Sequence, residues 1–435
     1  MKPIHKTLNP SSSDFPRRKF LGAAALGAVA VPRLASSAEP PVAVSAAAKQ
    51  RPELAISTDV LVIGGGTAGT AAAIQAARIG AKTLLVERGS QLGGTMTAGG
   101  VAFPGLFHAW GKQVIAGIGW DLVRQTVELD GGQLPDFTIP APPGRHWVHQ
   151  VLMNPFLYAV LAEEACRLAG VEICYYEFPV AAQPARGGWQ VEVLGPGTRR
   201  HVTCKQLIDC TGGADVAGML GLERLREDET QPGSMLFKLG DPFQAGRERL
   251  DAVYVHGADS SNSVTRTEAN LAGRRTILER LRTRRARGDQ AARLVQLQPE
   301  TAFRESYRIL GEVVITHEDY VGGRVFDDAV CYAFYPVDLH TRQGVRPQPL
   351  KEGIVPTVPL RALIPKDSRN LMVAGRSVSS DRLANSGLRV QASCMAMGQA
   401  AGAAAALAAR GTLSPREVPL ADLKAVLQQH AAITP

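Results

Sequence analysis

The stretch DVLVIGGGTAGTAAAIQAARIGAKTLLVE, residues 59–87, decides the fold. The apolar run at residues 60–63 predicts a buried parallel strand. The alanine-rich stretch at residues 70–79 predicts a helix, and the apolar run at residues 83–86 predicts a second strand. A strand, a helix and a further strand in this order predict one βαβ unit of an α/β sheet, with a ligand site where the first strand meets the helix.

Three glycines join the first strand to the helix with the spacing G-x-G-x-x-G. Gly64 allows the tight turn, Gly66 lets the backbone approach a pyrophosphate, and Gly69 lets helix and strand pack closely. Glu87 ends the second strand, where an acid binds the ribose hydroxyls and disfavours the 2′-phosphate of NADP. The strand, helix and acid together favour a dinucleotide site over a glycine-rich turn that binds nothing.

The first forty residues differ in composition from the rest of the 435-residue chain. Arg17 and Arg18 precede an apolar stretch at residues 22–31, and the small-residue sequence ASSA follows at residues 35–38. This order predicts a twin-arginine export signal at residues 1–38. A basic tail with a chance Arg-Arg pair and an uncleaved anchor are the alternatives. We therefore expect the twin-arginine export machinery as a partner and the periplasm as the location, with membrane anchoring if the signal is retained.

The net charge of +8 comes largely from that signal, which holds six Lys and Arg residues and one Asp, so that about +3 remains in the rest. This balance gives no case for nucleic-acid binding. The six cysteines form no C-x-x-C pair and no metal-ligand spacing. We therefore predict no metal site, and we expect the cysteines to act mainly as small buried hydrophobes.

Alternating helix and strand patterns continue beyond the first unit. Residues 154–170 predict an amphipathic helix, and residues 171–176 predict a strand. Turn glycines around the alternating stretches at residues 189–194 and 201–203 predict a small β-meander. A further short apolar strand is expected at residues 206–210.

The pattern changes after residue 231, which predicts a second domain. Residues 234–239 and 332–337 read as strands, and the basic stretch at residues 270–287 reads as a helix. The C-terminal part returns to α/β character, with a strand within residues 370–376 and a long alanine-rich helix at residues 392–410.

Three motifs carry a resemblance to a known family: GGGTAG followed by Glu87, CTGGAD at residues 210–215, and NLMVAGR followed by RVQASCMAMGQAAG within residues 370–402. Together they resemble the bacterial FAD-dependent oxidoreductases with a glutathione-reductase-type FAD domain, over nearly all of the chain after the signal. The resemblance implies a Rossmann-like FAD-binding domain, with a parallel sheet plus a β-meander, and an inserted α+β substrate domain. It implies FAD as the cofactor. Gly213 stands where the family usually has an acid after Thr-Gly.

The expected segments follow from these patterns. They are a signal at 1–38, a linker at 39–57, the FAD-binding domain in three parts at 58–105, 151–228 and 356–412, an insertion at 106–150, a substrate domain at 229–355, and a C-terminal helix and tail at 413–435.

The resemblance also implies which residues bind FAD. They are Gly64, Gly66, Thr67, Ala68, Gly69, Glu87, Arg88, Gly93, Gly94, Thr95, Val180, Thr211, Gly212, Asp215, Gly375, Arg376, Met395, Gly398, Gln399 and Ala400. Val180 is expected near the adenine. A helix that begins near Gly398 would direct its positive end at the flavin N1–C2 edge, unless it is simply a packed core helix.

The catalytic candidates are His340, Tyr335 and Arg389. A histidine base suits removal of a proton from a substrate whose hydride goes to flavin N5; a structural histidine in a loop is the alternative. Arg389 and Arg304 suit bidentate binding of an anionic substrate. For Arg304, an ion pair with Glu305 or Glu312 is the alternative.

These observations predict an exported FAD-dependent dehydrogenase or oxidase that acts on a small organic substrate. Oxygen, a quinone or a redox protein would take the electrons. The sequence has no second G-x-G-x-x-G, and NAD(P)H is not available outside the inner membrane, so a two-nucleotide reductase is disfavoured. Two alternatives stay open: a fumarate-reductase-like enzyme fed by an electron-transfer protein, and a non-catalytic flavin-binding subunit.

Overall fold

The structure is a computed structural model that describes residues 53–139, 141–142, 145–240, 248–289 and 292–435. The expected signal at residues 1–38 and most of the expected linker lie outside these residues. The first strand begins at Leu54, four residues before the expected start of the FAD-binding domain.

The strands of the described residues range from two to twelve residues in length. They are β1 Leu54–Ile63, β2 Thr83–Glu87, β3 His108–Ala109, β4 Lys112–Gln113, β5 Glu172–Tyr175, β6 Phe178–Ala185, β7 Gly188–Gly195, β8 Thr198–Asp209, β9 Arg224–Leu225, β10 Gly233–Gly240, β11 Arg249–Val255, β12 Arg293–Leu297, β13 Arg308–Ile309, β14 Ala329–Tyr332, β15 His340–Thr341, β16 Gly344–Val345, β17 Thr357–Pro359 and β18 Leu371–Val373.

The helices of the described residues lie between groups of these strands or after the last strand. They are α1 Thr67–Arg78, α2 Ile118–Leu129, α3 Pro155–Ala169, α4 Asp215–Met219, α5 Ser263–Ala286, α6 His317–Gly322, α7 Arg382–Leu388, α8 Gln391–Gly411 and α9 Leu420–Gln429, with 3₁₀ turns at His146–His149, Leu360–Leu363 and Pro415–Glu417.

The main sheet has the strand order β5-β2-β1-β8-β7-β6, and β18 also pairs with β8. The strands β5, β2, β1, β8 and β18 run parallel. The strands β6 and β7 are antiparallel and form a meander with the first half of β8, while β18 pairs with its last residues. The predicted Rossmann-like α/β fold, with a parallel sheet and a β-meander, is confirmed.

The two faces of β1 bury their side chains in different cores. Val60 and Val62 pack with the helices α1 and α8, whereas Leu61 and Ile63 pack with the meander on the other face. This alternation follows from the two-residue period of a strand, and both faces are apolar because a parallel sheet is covered on both sides. A smaller core lies between α5 and the three-stranded sheet β11-β10-β12.

The predicted helix at residues 154–170 is confirmed by α3. Asn154 accepts hydrogen bonds from the backbone N–H groups of Phe156 and Leu157 and so caps the N-terminus. Gly170 ends the helix in the left-handed conformation, with φ of 84°, which glycine adopts without strain.

The predicted strand at residues 332–337 is wrong beyond its first residue, because β14 ends at Tyr332. The backbone of Tyr335 is satisfied by a side chain instead of a neighbouring strand. The hydroxyl of Tyr320 donates to the carbonyl oxygen of Tyr335 at 2.8 Å, and the Tyr335 N–H donates to that hydroxyl at 3.2 Å. The backbone around Tyr335 therefore needs no hydrogen bonds from a neighbouring strand, and its side chains can extend towards a cavity.

Candidate active site

A cavity of about 1100 Å³ opens at the carboxyl end of β1, where ligands bind in open α/β sheets. Its walls come from two regions. The nucleotide end is lined by residues of the first βαβ unit and the meander, including Gly64, Gly66, Thr67, Ala68, Glu87 and Pro179. The opposite end is lined by Arg304, Tyr335, Asp338, His340 and Arg389, and we call it the substrate-domain end after the domain that the sequence predicts. The structure therefore brings many of the residues predicted to bind the nucleotide, though not all of them, and the three catalytic candidates around one space.

The three fingerprint glycines have different local environments. Gly64 has φ of 99°, and a Cβ there would lie 2.5 Å from the carbonyl oxygen of Cys210. A Cβ at Gly69 would overlap the carbonyl oxygen of Gly64 and lie 3.0 Å from the Cys210 side chain. A Cβ at Gly66 would meet no protein atom within 4 Å. Gly64 therefore allows the turn, Gly69 allows the helix to pack against the strand, and Gly66 leaves open space in the cavity wall.

Glu87 lies at the nucleotide end of the cavity with a half-buried carboxylate. It accepts hydrogen bonds from the backbone N–H groups of Gly65 and Gly89, both at 2.6 Å. Burial raises the pKa of Glu87, against the lowering effect of these two donors. Each oxygen keeps acceptor capacity beyond its backbone bond, so the side chain suits a pair of ribose hydroxyls.

The glycine-rich loop after β2 approaches the turn of α1. Gly93 has φ of 100° and its N–H donates to the carbonyl oxygen of Gly65 at 2.8 Å. Gly94 and Thr95 line the cavity, whereas Gly93 lies behind them. Arg88 also lines the cavity and pairs with Glu300 at 3.4 Å in an exposed position.

The CTGGAD motif forms the turn between β8 and α4. Thr211, Gly212 and Asp215 line the cavity. Burial, followed by the charge of Asp209, raises the pKa of Asp215 to about 6. The Gly212 carbonyl oxygen accepts a hydrogen bond from Nε of Arg376 at 2.5 Å, so this turn is tied to the NLMVAGR motif that ends at Arg376.

Arg376 and Gly375 lie in the cavity wall after β18. Nη1 of Arg376 donates to the carbonyl oxygen of Phe303 at 2.8 Å. Burial lowers the pKa of Arg376 to about 10, so the guanidinium stays charged at neutral pH. Gly375 has φ of 97°, a conformation that favours glycine at the turn.

The predicted role of Gly398, Gln399 and Ala400 as a helix start is wrong. The helix α8 begins at Gln391, so these residues lie two turns inside it and have no free N–H groups. A Cβ at Gly398 would overlap the carbonyl oxygen of Ala68, and Gly402 is packed in the same way against α1. The small residues serve close helix packing, which is the alternative that the sequence had left open.

Met395 and Gln399, which the sequence assigned to FAD binding, lie in the core of the protein. The Met395 side chain packs against Gly119, where a Cβ would lie 2.7 Å from its sulfur. Oε1 of Gln399 accepts from the N–H of Ile118 at 3.0 Å, and its Nε2 donates to Gln75 at 3.0 Å. These residues join helices to one another. The wall of the cavity is formed one to two turns earlier, by Val390, Gln391 and Cys394.

Val180, the predicted adenine contact, lies on β6 with 39% of its surface exposed. It is not among the cavity-lining residues, whereas Glu177, Phe178 and Pro179 are. The cavity lining in this segment therefore stops one residue before Val180, a boundary that no sequence pattern marks.

His340 and Asp338 form a hydrogen-bonded pair at the substrate-domain end. Nε2 of His340 lies 3.0 Å from Oδ2 of Asp338. Burial lowers the pKa of His340, although the bond to Asp338 opposes the shift. The bond to His340 and the charge of Arg389 lower the pKa of Asp338, against the effect of burial. At neutral pH the pair is therefore a neutral imidazole beside a carboxylate.

The protonation pattern of the imidazole follows from its partner. An ionised carboxylate only accepts hydrogen bonds, so Nε2 of His340 carries the proton and Nδ1 keeps a lone pair. Nδ1 is buried and has no hydrogen-bond partner among the described residues. His340 is 8% exposed. Its free lone pair makes His340 a general-base candidate.

Gln231 supports this pair from behind. Its Oε1 accepts from the His340 backbone N–H at 3.1 Å and from Nη2 of Arg389 at 3.4 Å. Its backbone N–H and its Nε2 donate to Glu305 at 2.5 and 2.8 Å. Glu305 is held in turn by Arg382 at 2.7 Å. The amide of Gln231 is therefore fixed with its oxygen towards His340 and Arg389.

The suggested ion pair of Arg304 with Glu305 or Glu312 is wrong. Glu305 pairs with Arg382, and Glu312 pairs with Arg416 at 3.1 Å. Nη1 of Arg304 donates instead to the carbonyl oxygen of Pro232 at 2.5 Å and to Oγ of Ser234 at 3.0 Å. Arg304 is thus anchored in the cavity wall by neutral groups.

Tyr335 connects the cavity with the segment that precedes α3. Its hydroxyl accepts a hydrogen bond from Nε2 of Gln150 at 2.7 Å, and the His146 ring lies edge-on to it with centroids 5.2 Å apart. Burial, followed by the charge of Asp338, raises the pKa of Tyr335 to about 12. The phenol therefore stays protonated at neutral pH.

Sequence reasoning missed Gln231 and Gln150. Each acts through a partner more than a hundred positions away, and no local motif marks either one. Within the described part of the chain, no group of three or more His, Cys, Asp or Glu residues suits a metal ion. The six cysteines are all buried and free, as expected for small apolar side chains.

Comparison with known proteins shows which family this chain matches. A sequence model of the family described as FAD dependent oxidoreductase matches residues 59–251 and 226–427. Among solved structures, a geranylgeranyl bacteriochlorophyll reductase-like protein from Thermoplasma acidophilum is 13% identical, with a TM-score of 0.39, and the match covers 87% of this chain and 83% of that one. OxyS anhydrotetracycline hydroxylase from Streptomyces rimosus is 18% identical, with a TM-score of 0.31; the match covers 43% of this chain and 38% of that one. The Thermovibrio ammonificans THI4 protein is 18% identical, with a TM-score of 0.27, and the match covers 39% of this chain and 64% of that one.

Proposed function

Because this chain belongs to the FAD-dependent oxidoreductases and takes FAD as its cofactor, we propose that it is an exported dehydrogenase or oxidase that removes a hydride from a small organic substrate. One observation carries the proposal: the glycine fingerprint and the His340–Asp338 pair line the same cavity. The cofactor site and a general-base candidate therefore face one space. The electron acceptor is proposed to be oxygen, a quinone or a redox protein.

The residues at the nucleotide end suit FAD. Gly66 leaves open space where α1 begins, and the first N–H groups of a helix favour phosphate oxygens. Glu87 would bind the adenosine ribose, and Thr211, Asp215 and Arg376 would line the path of the cofactor. The parallel order β5-β2-β1-β8-β18, joined to a meander, supports the glutathione-reductase type of FAD domain as the finer assignment.

FAD, when bound, supplies the two-electron acceptor. The chain supplies the proton chemistry: the free Nδ1 of His340 takes a proton from a substrate O–H or N–H group, and Asp338 stabilises the imidazolium that results. The Tyr335 hydroxyl, whose oxygen is bound by Gln150, can donate its own hydrogen to a substrate oxygen. Arg389 and the first turn of α8 bring positive charge to the same wall.

An anaerobic donor screen tests this function. The FAD-loaded protein is mixed with alcohols, amines and hydroxy acids while the flavin absorption band is followed. We expect at least one donor to bleach the band, and His340→Gln to slow bleaching by about 10²-fold or more. If no donor bleaches the band but fumarate or another acceptor reoxidises the dithionite-reduced protein, the enzyme is a reductase. If neither occurs, the chain is a flavin-binding subunit.

Export is proposed from the sequence pattern alone. Arg17 and Arg18 carry the proposal, because the twin-arginine route accepts folded proteins and so allows FAD to be loaded before transfer. Replacing both arginines with lysine should retain the protein in the cytoplasm, as measured by cell fractionation. Equal amounts of the wild-type and double-variant proteins in the periplasm would contradict the proposal.

A further inference from the structure

Two guanidinium groups lie in the wall of the substrate-domain end. Arg304 is held by Pro232 and Ser234, and its guanidinium carbon lies 5.4 Å from the centre of the Tyr254 ring. Arg389 donates from Nη2 to the carbonyl oxygen of Asp338 at 3.0 Å. Burial, followed by the charge of Arg389, lowers the pKa of Arg304 to about 10. Guanidinium groups carry a positive charge in proteins, and that of Arg304 keeps its charge at neutral pH.

The acidic groups that line the cavity do not balance these charges. They are Glu87, Glu177, Asp215, Glu300 and Asp338. Four are engaged elsewhere: Glu87 with backbone N–H groups, Glu177 with Arg200 at 2.7 Å, Glu300 with Arg88 at 3.4 Å, and Asp215 with the charges of Arg88, Arg376 and Arg224. Of the cavity-lining acids, this leaves Asp338 to balance Arg304 and Arg389.

Asp338 is shared, and one positive charge remains in excess. Its Oδ2 lies 3.6 Å from Nη2 of Arg389 and 3.0 Å from Nε2 of His340. Because the imidazole is neutral, the four groups Arg304, Arg389, Asp338 and His340 carry a net charge of about +1. An uncompensated charge in a buried site is costly, and one monoanion would neutralise it.

Hydrogen-bonding capacity is also left over. Within the described residues, Arg304 donates hydrogen bonds from Nη1 alone, so its Nε and Nη2 remain available to a ligand. Nε of Arg389 and Nδ1 of His340 are buried without a partner. Planar guanidinium groups bind carboxylates through paired N–H donors.

We propose that the substrate-domain end binds the carboxylate of a monoanionic organic acid between Arg304 and Arg389, and that the oxidised carbon lies one or two bonds from that carboxylate. This inference rests on the proposed function. The position of the carbon follows from Asp338, because one oxygen of this residue contacts both Arg389 and His340. A carboxylate on the arginines therefore brings its neighbouring carbons close to the imidazole.

The balanced reaction is a two-electron oxidation. In a 2-hydroxy acid, the C–H bond at carbon 2 would break, and bound FAD would supply the acceptor for its hydride. The O–H bond also breaks, its proton passes to Nδ1 of His340, and a C=O bond forms. A 2-amino acid would react in the same way at its C–H and N–H bonds. A dianion such as phosphate would overcompensate the single positive charge, so a carboxylate is the better match.

Matched ligand pairs test the inference without turnover. The FAD-loaded full chain is titrated at pH 7 with propionate and propionamide, and with benzoate and benzamide, while the flavin difference spectrum is followed. Each pair differs chiefly in charge. We expect each carboxylate to bind about 10-fold or more tightly than its amide. Equal affinities within both pairs would overturn the inference.

Variants locate the effect. Arg304→Met and Arg389→Met should each lower the carboxylate preference to about 3-fold or less. Arg342→Met is the matched control, since it removes the same charge from an exposed pair with Glu229 outside the cavity lining. It should keep the wild-type preference, and an equal loss in this control would overturn the inference. A flavin potential that shifts in Arg389→Met, with carboxylate affinity unchanged, would also overturn it.

Asp338→Asn gives a test of opposite sign. Removing this carboxylate raises the excess positive charge, so propionate should bind about 10-fold more tightly while propionamide is unaffected. Unchanged or weaker propionate binding would count against the inference. If any variant loses FAD, the wild-type ratios decide alone.

The two proposals fail in different ways. Carboxylate preference without any donor that bleaches the flavin would refute the dehydrogenase and keep the anion site. Bleaching by uncharged donors without carboxylate preference would refute the anion site and keep the dehydrogenase.

Discussion

Replacing Gly66 with alanine separates cofactor binding from folding. The backbone of Gly66 has φ of −64°, which alanine adopts without strain, and the new Cβ meets no protein atom within 4 Å. We therefore expect the apo-protein to keep its stability or to gain up to about 1 kcal/mol, because alanine restricts the unfolded chain. The methyl group would occupy the space at the start of α1 where phosphate oxygens approach the backbone.

The loss of cofactor affinity can be sized from the contacts. Displacing one or two charge-assisted hydrogen bonds costs about 2–4 kcal/mol, or roughly 30- to 1000-fold in Kd. Fluorescence quenching during FAD titration measures the Kd, and circular dichroism of the apo-protein measures the Tm. Gly69→Ala is the control, since its Cβ would overlap the carbonyl oxygen of Gly64 and should lower the apo Tm strongly. Unchanged FAD affinity in Gly66→Ala, or a Tm loss as large as that of the control, would refute the reasoning.

Three further predictions concern packing and protonation. Gly398→Ala should cost about 3 kcal/mol of unfolding free energy in a denaturant titration, because the new Cβ overlaps the backbone of α1. Gly411→Ala, at the end of the same helix, is the control: its Cβ would lie 3.1 Å from the flexible side chain of Leu413 and should cost little. Burial lowers the pKa of His108 from 6.5 to about 4. As the pH falls from 6.5 to about 4, the unfolded chain takes up the proton before the folded chain does, so the unfolding free energy decreases; the half-exposed ring limits this loss to about 1 kcal/mol. His108→Phe should abolish this part of the pH dependence of the unfolding free energy. Glu305→Gln should cost about 1–3 kcal/mol of unfolding free energy, because it removes the buried carboxylate that pairs with the partly exposed Arg382 and binds Gln231. It should also raise the Kd for propionate by releasing Gln231, whereas an unchanged Kd would show that the amide needs no such support.

Local patterns predicted the first βαβ unit and α3 well, for physical reasons that act over a few residues. The turn at Gly64 and the caps Asn154 and Gly170 are set by the backbone conformation of one or two positions. The alternation of Val60 and Leu61 between two cores follows from strand geometry alone. Such features need no knowledge of distant partners.

The sequence predicts the extent of α8 to within one residue at each end, but a cofactor-facing helix start near Gly398 is wrong because its signal is ambiguous. The helix begins after Val390 without a capping side chain, so the usual marker is missing. Gly398 and Gly402 are four residues apart and face α1. This spacing indicates close helix packing, but a glycine can also mark a helix end, and the sequence alone did not separate the two.

The candidate site was predictable in part. Tyr335, His340 and Arg389 were named from motifs, and the structure places all three around the cavity. Their support was not predictable, because tertiary folding brings Gln231 to His340 across 109 positions and Glu305 to Gln231 across 74 positions. The charge balance that indicates an organic acid likewise depends on which acids are already paired.

The position of FAD in a crystal structure of the loaded protein tests the central claim most directly. We predict continuous density along the cavity, with the adenine end beside Glu87 and Pro179 and the flavin ring beside Arg376 and Val390, so that open space remains between the ring and His340. A ring bound at the Glu87 end, or a cofactor that fills the space at His340, would contradict the account.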